Sequence, residues 1–261
     1  MKINDKLLSI FEEDWNLITL PFSDKEIECK AYTHKAVKNI IQSAVKMKDR
    51  KKGHVKQSLN TLRNLVQSCI KPDETGEPID VRNLLIGDFT YVMLYLKTIS
   101  SPDKSKYKAE CANDQCKFIY TIDFDIETLE FLNKENLKNE RKIDLKQNSN
   151  VFSIEMGEYT FNTMLDNADL FGAEIETGDE ITKFYCSFIN SIIVGDTVFE
   201  SNDLNVATKM AFLDKLSDND LLPLVKYIEE QPKLFWKTTF ECPICGEKNE
   251  LVLENTLDFF S

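Results

Sequence analysis

Lys237-Thr-Thr-Phe-Glu-Cys242-Pro-Ile-Cys245-Gly246 is the most specific stretch of this sequence. Two residues between cysteines let both sulfurs face one point while backbone N–H groups turn toward them. Gly246 suits the positive φ that such a knuckle often needs. One knuckle offers two thiolates, and a structural zinc takes four ligands. The other close pair is Cys111-Ala-Asn-Asp-Gln-Cys116, where Asn113 and Asp114 are good turn formers. Cys111, Cys116, Cys242 and Cys245 are therefore the candidate metal ligands, sharing one zinc that would tie the early and late parts of the chain together. Two other readings stay open at this stage: two reduced, metal-free pairs, and a redox or other metal role. A thioredoxin-like role is disfavoured, because that motif opens a helix and Cys245 is followed by Gly-Glu-Lys-Asn and a strand pattern. Cys29, Cys69 and Cys186 stand alone in the sequence and read as buried packing.

Working outward, residues 233–241 and 251–253 read as strands around the second pair, and residues 107–111 and 116–124 as strands around the first. A pattern recurs. Asp88-Phe-Thr-Tyr-Val-Met-Leu-Tyr-Leu-Lys-Thr-Ile99 precedes Lys108-Ala-Glu-Cys111. At nearly the same spacing, Asp220-Leu-Leu-Pro-Leu-Val-Lys-Tyr-Ile228 precedes Lys237-Thr-Thr-Phe-Glu-Cys242. Each half offers a helix, a strand, a knuckle and a strand; chance similarity of amphipathic elements is the competing explanation.

Other helices are expected at residues 4–15, 33–48, 55–70, 127–136, 162–171, 179–192, 204–216 and 219–231 from apolar periodicity and caps. Asp88 is expected to cap a central helix, and Pro223 to sit in a first turn. Hairpins are expected at residues 151–161, turning at Met156-Gly157-Glu158, and at residues 193–199, turning at Gly195-Asp196. A strand is expected at residues 26–32. The fold class expected is α+β, mostly helical: two related halves, each with a helix and a short antiparallel cysteine-knuckle hairpin, joined at a four-cysteine zinc site. Residues 1–133 and 151–261 are the expected halves, and the charged stretch 134–150 the linker.

Composition narrows the function. Net charge is −12, which argues against phosphate-backbone binding. The basic run at residues 46–56 reads as a solvated turn, with a docking patch for an acidic partner as the sharper alternative. No apolar run reaches transmembrane length, so no membrane partner is expected. Glu12, Glu13 and Asp14 stand where a secretory signal needs apolar residues, so a reducing, intracellular compartment is expected. His34 and His54 are not spaced like ligands, the eight glycines are scattered, and the carboxylates form no distinctive pair. The expectation is a non-enzyme with no small-molecule substrate. The C-terminal Leu257-Asp-Phe-Phe-Ser261 either folds back onto the last strand or serves as a docking tail.

The order of a Leu20-Pro21-Phe22-Ser23 entry, a strand, two helices, the apolar segment 84–99 and a cysteine pair, then a half ending in Cys-Pro-Ile-Cys-Gly and Phe-Phe, resembles the T-even bacteriophage baseplate hub assembly family. The resemblance runs from about Leu20 to Phe260. The first cysteine pair, with four intervening residues, departs from the two-residue spacing of the family pattern. The resemblance implies a non-enzymatic, chaperone-like role in the host cytoplasm during virion assembly, with other baseplate hub or tape-measure-type tail proteins as partners. A permanent place in the virion tail and a zinc-containing nucleic-acid-binding protein are the competing functions.

Overall fold

The computed structural model describes residues 14–33, 54–100, 106–138, 140–147, 150–170, 178–201, 203–254, 256 and 258–260. The expected helices at residues 4–15 and 33–48 lie mostly or wholly outside these, as does most of the basic run. Among the described residues the chain is mixed rather than mostly helical, with six α-helices and 11 strands in four antiparallel sheets. That corrects the expected class, and the reason lies in particular segments.

The stretch expected to be a linker holds a 3₁₀ turn, Lys134–Lys138, and strand β6, Lys142–Gln147. Its dense charge is one side of a period-two alternation: Leu145 is buried and Ile143 packs against the same core, while Lys142, Asp144 and Lys146 face water. The helix expected at 127–136 is instead a 3₁₀ turn, Ile126–Thr128, followed by β5, Glu130–Leu132. β5 pairs antiparallel with β10, Lys233–Glu241, which pairs in turn with β11, Lys248–Leu253.

The hairpin expected at 151–161 does not form. β7, Asn150–Met156, lies between β6 and β8, Ile189–Val194, and β9, Thr197–Glu200, completes the order β6-β7-β8-β9. The chain beyond Met156 bonds elsewhere: Gly157 N–H donates to the Phe188 carbonyl, and Ile86 N–H to that of Tyr159. The β8–β9 hairpin turns at Gly195-Asp196, as its sequence indicates. β1, Asn16–Thr19, and β2, Glu26–Cys29, form a two-stranded sheet. β3, Lys106–Glu110, and β4, Ile119–Asp123, form another around the first cysteine pair.

The helices are α1, His54–Cys69; α2, Ile86–Ser100; α3, Phe161–Asp166; α4, Gly178–Cys186; α5, Val206–Leu213; and α6, Asp218–Glu229. α6 opens with a capping box between Ser217 and Asp220. Pro223 lies past its first turn, so it removes a helical hydrogen bond rather than replacing an orphan. α2 is apolar on most sides and is central. It gives Phe89, Val92 and Leu96 to a cluster with α1, α3 and the first sheet, where Phe89 and Phe161 stack at 3.9 Å between ring centroids. It gives Leu94 to a second cluster with Tyr107, Phe124, Leu234, Trp236, Leu253 and Phe259. That second cluster lies beneath both cysteine hairpins and joins residues from early and late in the chain. Phe259 is folded into it, and its carbonyl accepts from Tyr107 Oη at 2.9 Å. A third cluster fills the space between the four-stranded sheet and α4, α5 and α6.

Asp88 does not cap its own helix. It is fully buried, and its two carboxylate oxygens accept from Phe22 N–H at 2.9 Å and Ser23 N–H at 3.1 Å. The Phe22 ring lies over Gly87, where a Cβ would sit 2.3 Å from it. Gly87 and Asp88 together hold the Leu20-Pro-Phe-Ser turn on the start of α2. Burial pushes the Asp88 carboxyl above its ordinary value, against the pull of its Ser23 and Phe22 contacts. An Asp88→Ala variant leaves both N–H groups without an acceptor and is expected to lose about 2–4 kcal/mol. Urea denaturation measures it, and a loss under about 1 kcal/mol, the size of an exposed hydrogen bond, would mean water replaces the carboxylate.

Candidate metal centre

β3 and β10 each run into a cysteine and continue through a tight knuckle into their antiparallel partner. In both knuckles the first cysteine's N–H closes the turn: Cys111 donates to the Phe118 carbonyl and Cys242 to that of Glu247, each at 2.8 Å. The second knuckle adds Gly246 N–H to the Cys242 carbonyl at 2.8 Å. The first adds Cys116 N–H to the Asn113 carbonyl at 2.8 Å and Gln115 N–H to Asn113 Oδ1 at 3.0 Å. The residue after each second cysteine has positive φ, +73° at Gly246 and +48° at Lys117. Lys117 takes the place of the glycine, at a cost of roughly 1–2 kcal/mol in backbone strain. The wider first pair thus reaches the same turn with a residue that gives no sequence cue.

The structure brings all four predicted cysteines together. Their sulfurs lie within 4.8 Å of one another. Cys111 Sγ is 3.7 Å from Cys245 Sγ, and Cys116 Sγ is 3.6 Å from Cys242 Sγ, although the latter pair is 126 positions apart in sequence. A tetrahedral zinc with Zn–S of about 2.3 Å spaces its sulfurs about 3.8 Å apart, whereas a disulfide requires about 2.05 Å. The cluster therefore has the size of a metal site, and all of its cysteines are free thiols. Cys111 and Cys242 are buried, Cys116 is half-buried and Cys245 is exposed, so the cluster opens to the surface on one side.

The electrostatics suit a cation. Desolvation works to raise the Cys242 thiol, but the backbone N–H groups of Cys245 and Ile244, with the neighbouring thiols, outweigh it and bring it down to about 6. The backbone N–H groups of Asn113, Phe118 and Glu247 aid the thiolates of Cys111, Cys116 and Cys245 in the same way. For these three, burial and the adjacent sulfurs prevail and push the thiols up. One thiolate forms readily and its neighbours resist, as expected of crowded sulfurs that would share negative charge.

Asn249 is the residue that sequence reading missed. It is buried, its Oδ1 accepts from Ala112 N–H at 2.7 Å, and its Nδ2 donates to the Glu247 carbonyl at 2.8 Å. One side chain from β11 thus orients both knuckles, as second-layer groups do around metal ligands. Tyr120 adds a further tie, donating from Oη to the Glu241 carbonyl with its ring 4.5 Å from that of Phe240. Only the Gly-Glu-Lys-Asn run after Cys245 places Asn249 near the site, and nothing in that run marks it.

The remaining cysteines behave differently. Cys29, Cys69 and Cys186 are buried in the cores. Burial pushes Cys29 up to about 12, with the Cys69 thiol nearby adding to it, and pushes Cys186 up to about 11. They stay protonated, as packing residues should. His34 lies outside the described residues, and so does the His54 side chain.

Two antiparallel hairpins presenting four thiols to one point, on a mixed α and β scaffold, define a cysteine-knuckle protein able to hold a metal ion. The family model described as T4 bacteriophage base plate protein matches residues 13–261, and the chain belongs to that family. No curated protein and no solved structure matches it. Membership gives the chain a role in the phage baseplate, among other baseplate or tail proteins. Among the described residues no helix is long and apolar enough to cross a membrane.

Proposed function

We propose that this chain is a non-enzymatic, chaperone-like assembly factor for the baseplate hub, held rigid by one structural zinc on Cys111, Cys116, Cys242 and Cys245. The observation that carries the reading is the closed shell of four sulfurs, two from each hairpin. Catalytic zinc keeps a position for water or substrate, and four cysteine ligands leave none. The 440 Å³ cleft lined by Leu20, Lys25, Glu26, Ile27, Ile79, Asp80, Asn83 and Leu84 shares no residue with the cluster and has no histidine or cysteine. A net charge of −12 favours protein partners over nucleic acid. The bound metal would fix the β3–β4 and β10–β11 hairpins as one platform for hub or tape-measure-type tail proteins in the host cytoplasm during virion assembly.

Elemental analysis of protein purified without chelator should find one zinc per chain, lost in the Cys242→Ser, Cys245→Ser variant; a metal-free wild type would sink the staple. The second reading, a permanent hub component with the same fold, is favoured by the family's description as a base plate protein. Mass spectrometry of purified virions separates the two. An assembly factor is absent or substoichiometric there, and recovery at a fixed ratio to hub proteins would establish the permanent role.

A further inference from the structure

We propose that the free edge of β9 is a docking strand for an extended segment of another tail protein, one that alternates apolar with basic side chains along one face. This rests on the reading that the chain acts by binding tail proteins, and does not involve the metal. The β8–β9 turn has Val194 opposite Thr197 and Gly195 at φ +58°, as in a type II′ hairpin. The pair closing such a turn exchanges both main-chain hydrogen bonds, and the next pair exchanges none. The N–H and C=O groups of Val198 and Glu200 therefore point away from β8. Among the described residues β9 is outermost in its sheet, and all four of its residues are exposed, Val198 at 49 % and Phe199 at 41 %.

Open edges of this kind are normally blunted by lysine, proline or alternating charge. The opposite edge of the same sheet follows that rule, since β6 carries Lys142, Asp144 and Lys146. β9 has neither lysine nor proline, and its single charge is Glu200 at its end. Charge indicates what fits there. Between residues 195 and 204 every charged side chain is acidic: Asp196, Glu200 and Asp203. Two copies of this edge would bring their carboxylates close together, and like charges disfavour that, so a basic partner is the better match. A strand with Lys or Arg opposite Glu200 and an apolar residue opposite Val198 is a good one. Main-chain hydrogen bonds would give the affinity and this alternation the selectivity, as in other strand-addition complexes.

The probe is a labelled Lys-Thr-Val-Thr-Lys-Thr-Val-Thr-Lys peptide, whose lysines and valines alternate along one face, followed by fluorescence anisotropy with the full chain; the same peptide with glutamate in place of lysine is the control. The lysine peptide should bind and the glutamate peptide should not. Val198→Pro removes an outward N–H and leaves the β8–β9 ladder intact. Glu200→Lys reverses the charge without touching any main-chain bond. Each should weaken binding about tenfold or more. Thermal melting that matches wild type in Glu200→Lys shows that a loss there is not unfolding. Failure of the lysine peptide to bind, or equal binding by wild type and both variants, overturns the proposal. A wild-type dimer in sedimentation that Val198→Pro dissolves would also overturn it, assigning the edge to a second copy. Zinc content is unchanged throughout, so this failure is distinct from failure of the metal staple.

Discussion

Serine at both Cys242 and Cys245 is expected to lower the unfolding free energy by roughly 3–6 kcal/mol, a fraction of the ~10–16 kcal/mol that structural zinc releases in small peptides. The fraction is partial because the hairpins are also joined by contacts that need no metal. Tyr120, Asn249 and the cluster around Tyr107 and Trp236 hold them together as well. The loss still matters against a typical domain stability of ~5–15 kcal/mol. If the four thiols within 4.8 Å hold the proposed zinc, its removal would leave crowded anions or desolvated thiols, so the apo state would lose the metal bonds and keep the repulsion. Denaturant unfolding with and without chelator is the measurement. Chelated wild type should unfold near the midpoint of the double variant, and added zinc should shift only wild type. Coincident midpoints for wild type with and without chelator would show that the cluster carries no stability.

That centre was legible because its signal is local. A Cys-x-x-Cys-Gly knuckle fixes its own geometry through N–H groups two residues ahead of each sulfur, and spacing alone reports it. The wider first pair was legible only as a partner of the second, since Lys117 adopts the left-handed φ without the glycine that would announce it. The N-terminal connections were less legible. Asp88 looked like a helix cap because a carboxylate at a helix start usually is one. Its real partners, Phe22 and Ser23, are 66 and 65 positions away. The strands β5 and β6 were hidden by composition. A half-buried strand at the edge of a sheet shows its charged face as plainly as its apolar one, and in Lys142-Ile-Asp-Leu-Lys146 the charges outnumber the apolar residues. Family membership settled at once what no single residue could, namely that the scaffold serves a baseplate; the hub-assembly role remains a proposal with its own test.

Trp236→Ala is expected to cost about 3–5 kcal/mol, the usual range for a buried large aromatic. Trp236 lies on β10, six residues before Cys242, and only 4 % of it is exposed. Its ring packs 5.1 Å from Phe124 and 5.8 Å from Tyr107, both from the first hairpin's side of the cluster. Its Nε1 donates to Thr128 Oγ1 at 2.9 Å. Truncation removes the apolar contact between the two hairpins and leaves the Thr128 hydroxyl without its donor. Trp236→Phe keeps most of the ring and loses the N–H, so it should cost about 1–2 kcal/mol. Trp236, within β10, and the sulfur cluster, just past its C-terminal end, join the same two hairpins six residues apart. Their effects should therefore fall short of additivity: once the sulfur cluster is gone, Trp236 has a less ordered partner surface to lose. A double-mutant cycle between Trp236→Ala and the paired serine substitutions should give an interaction of about 1–2 kcal/mol. Strict additivity would mean that the cluster stiffens only its own knuckles and that the packing beneath it holds the two hairpins together unaided.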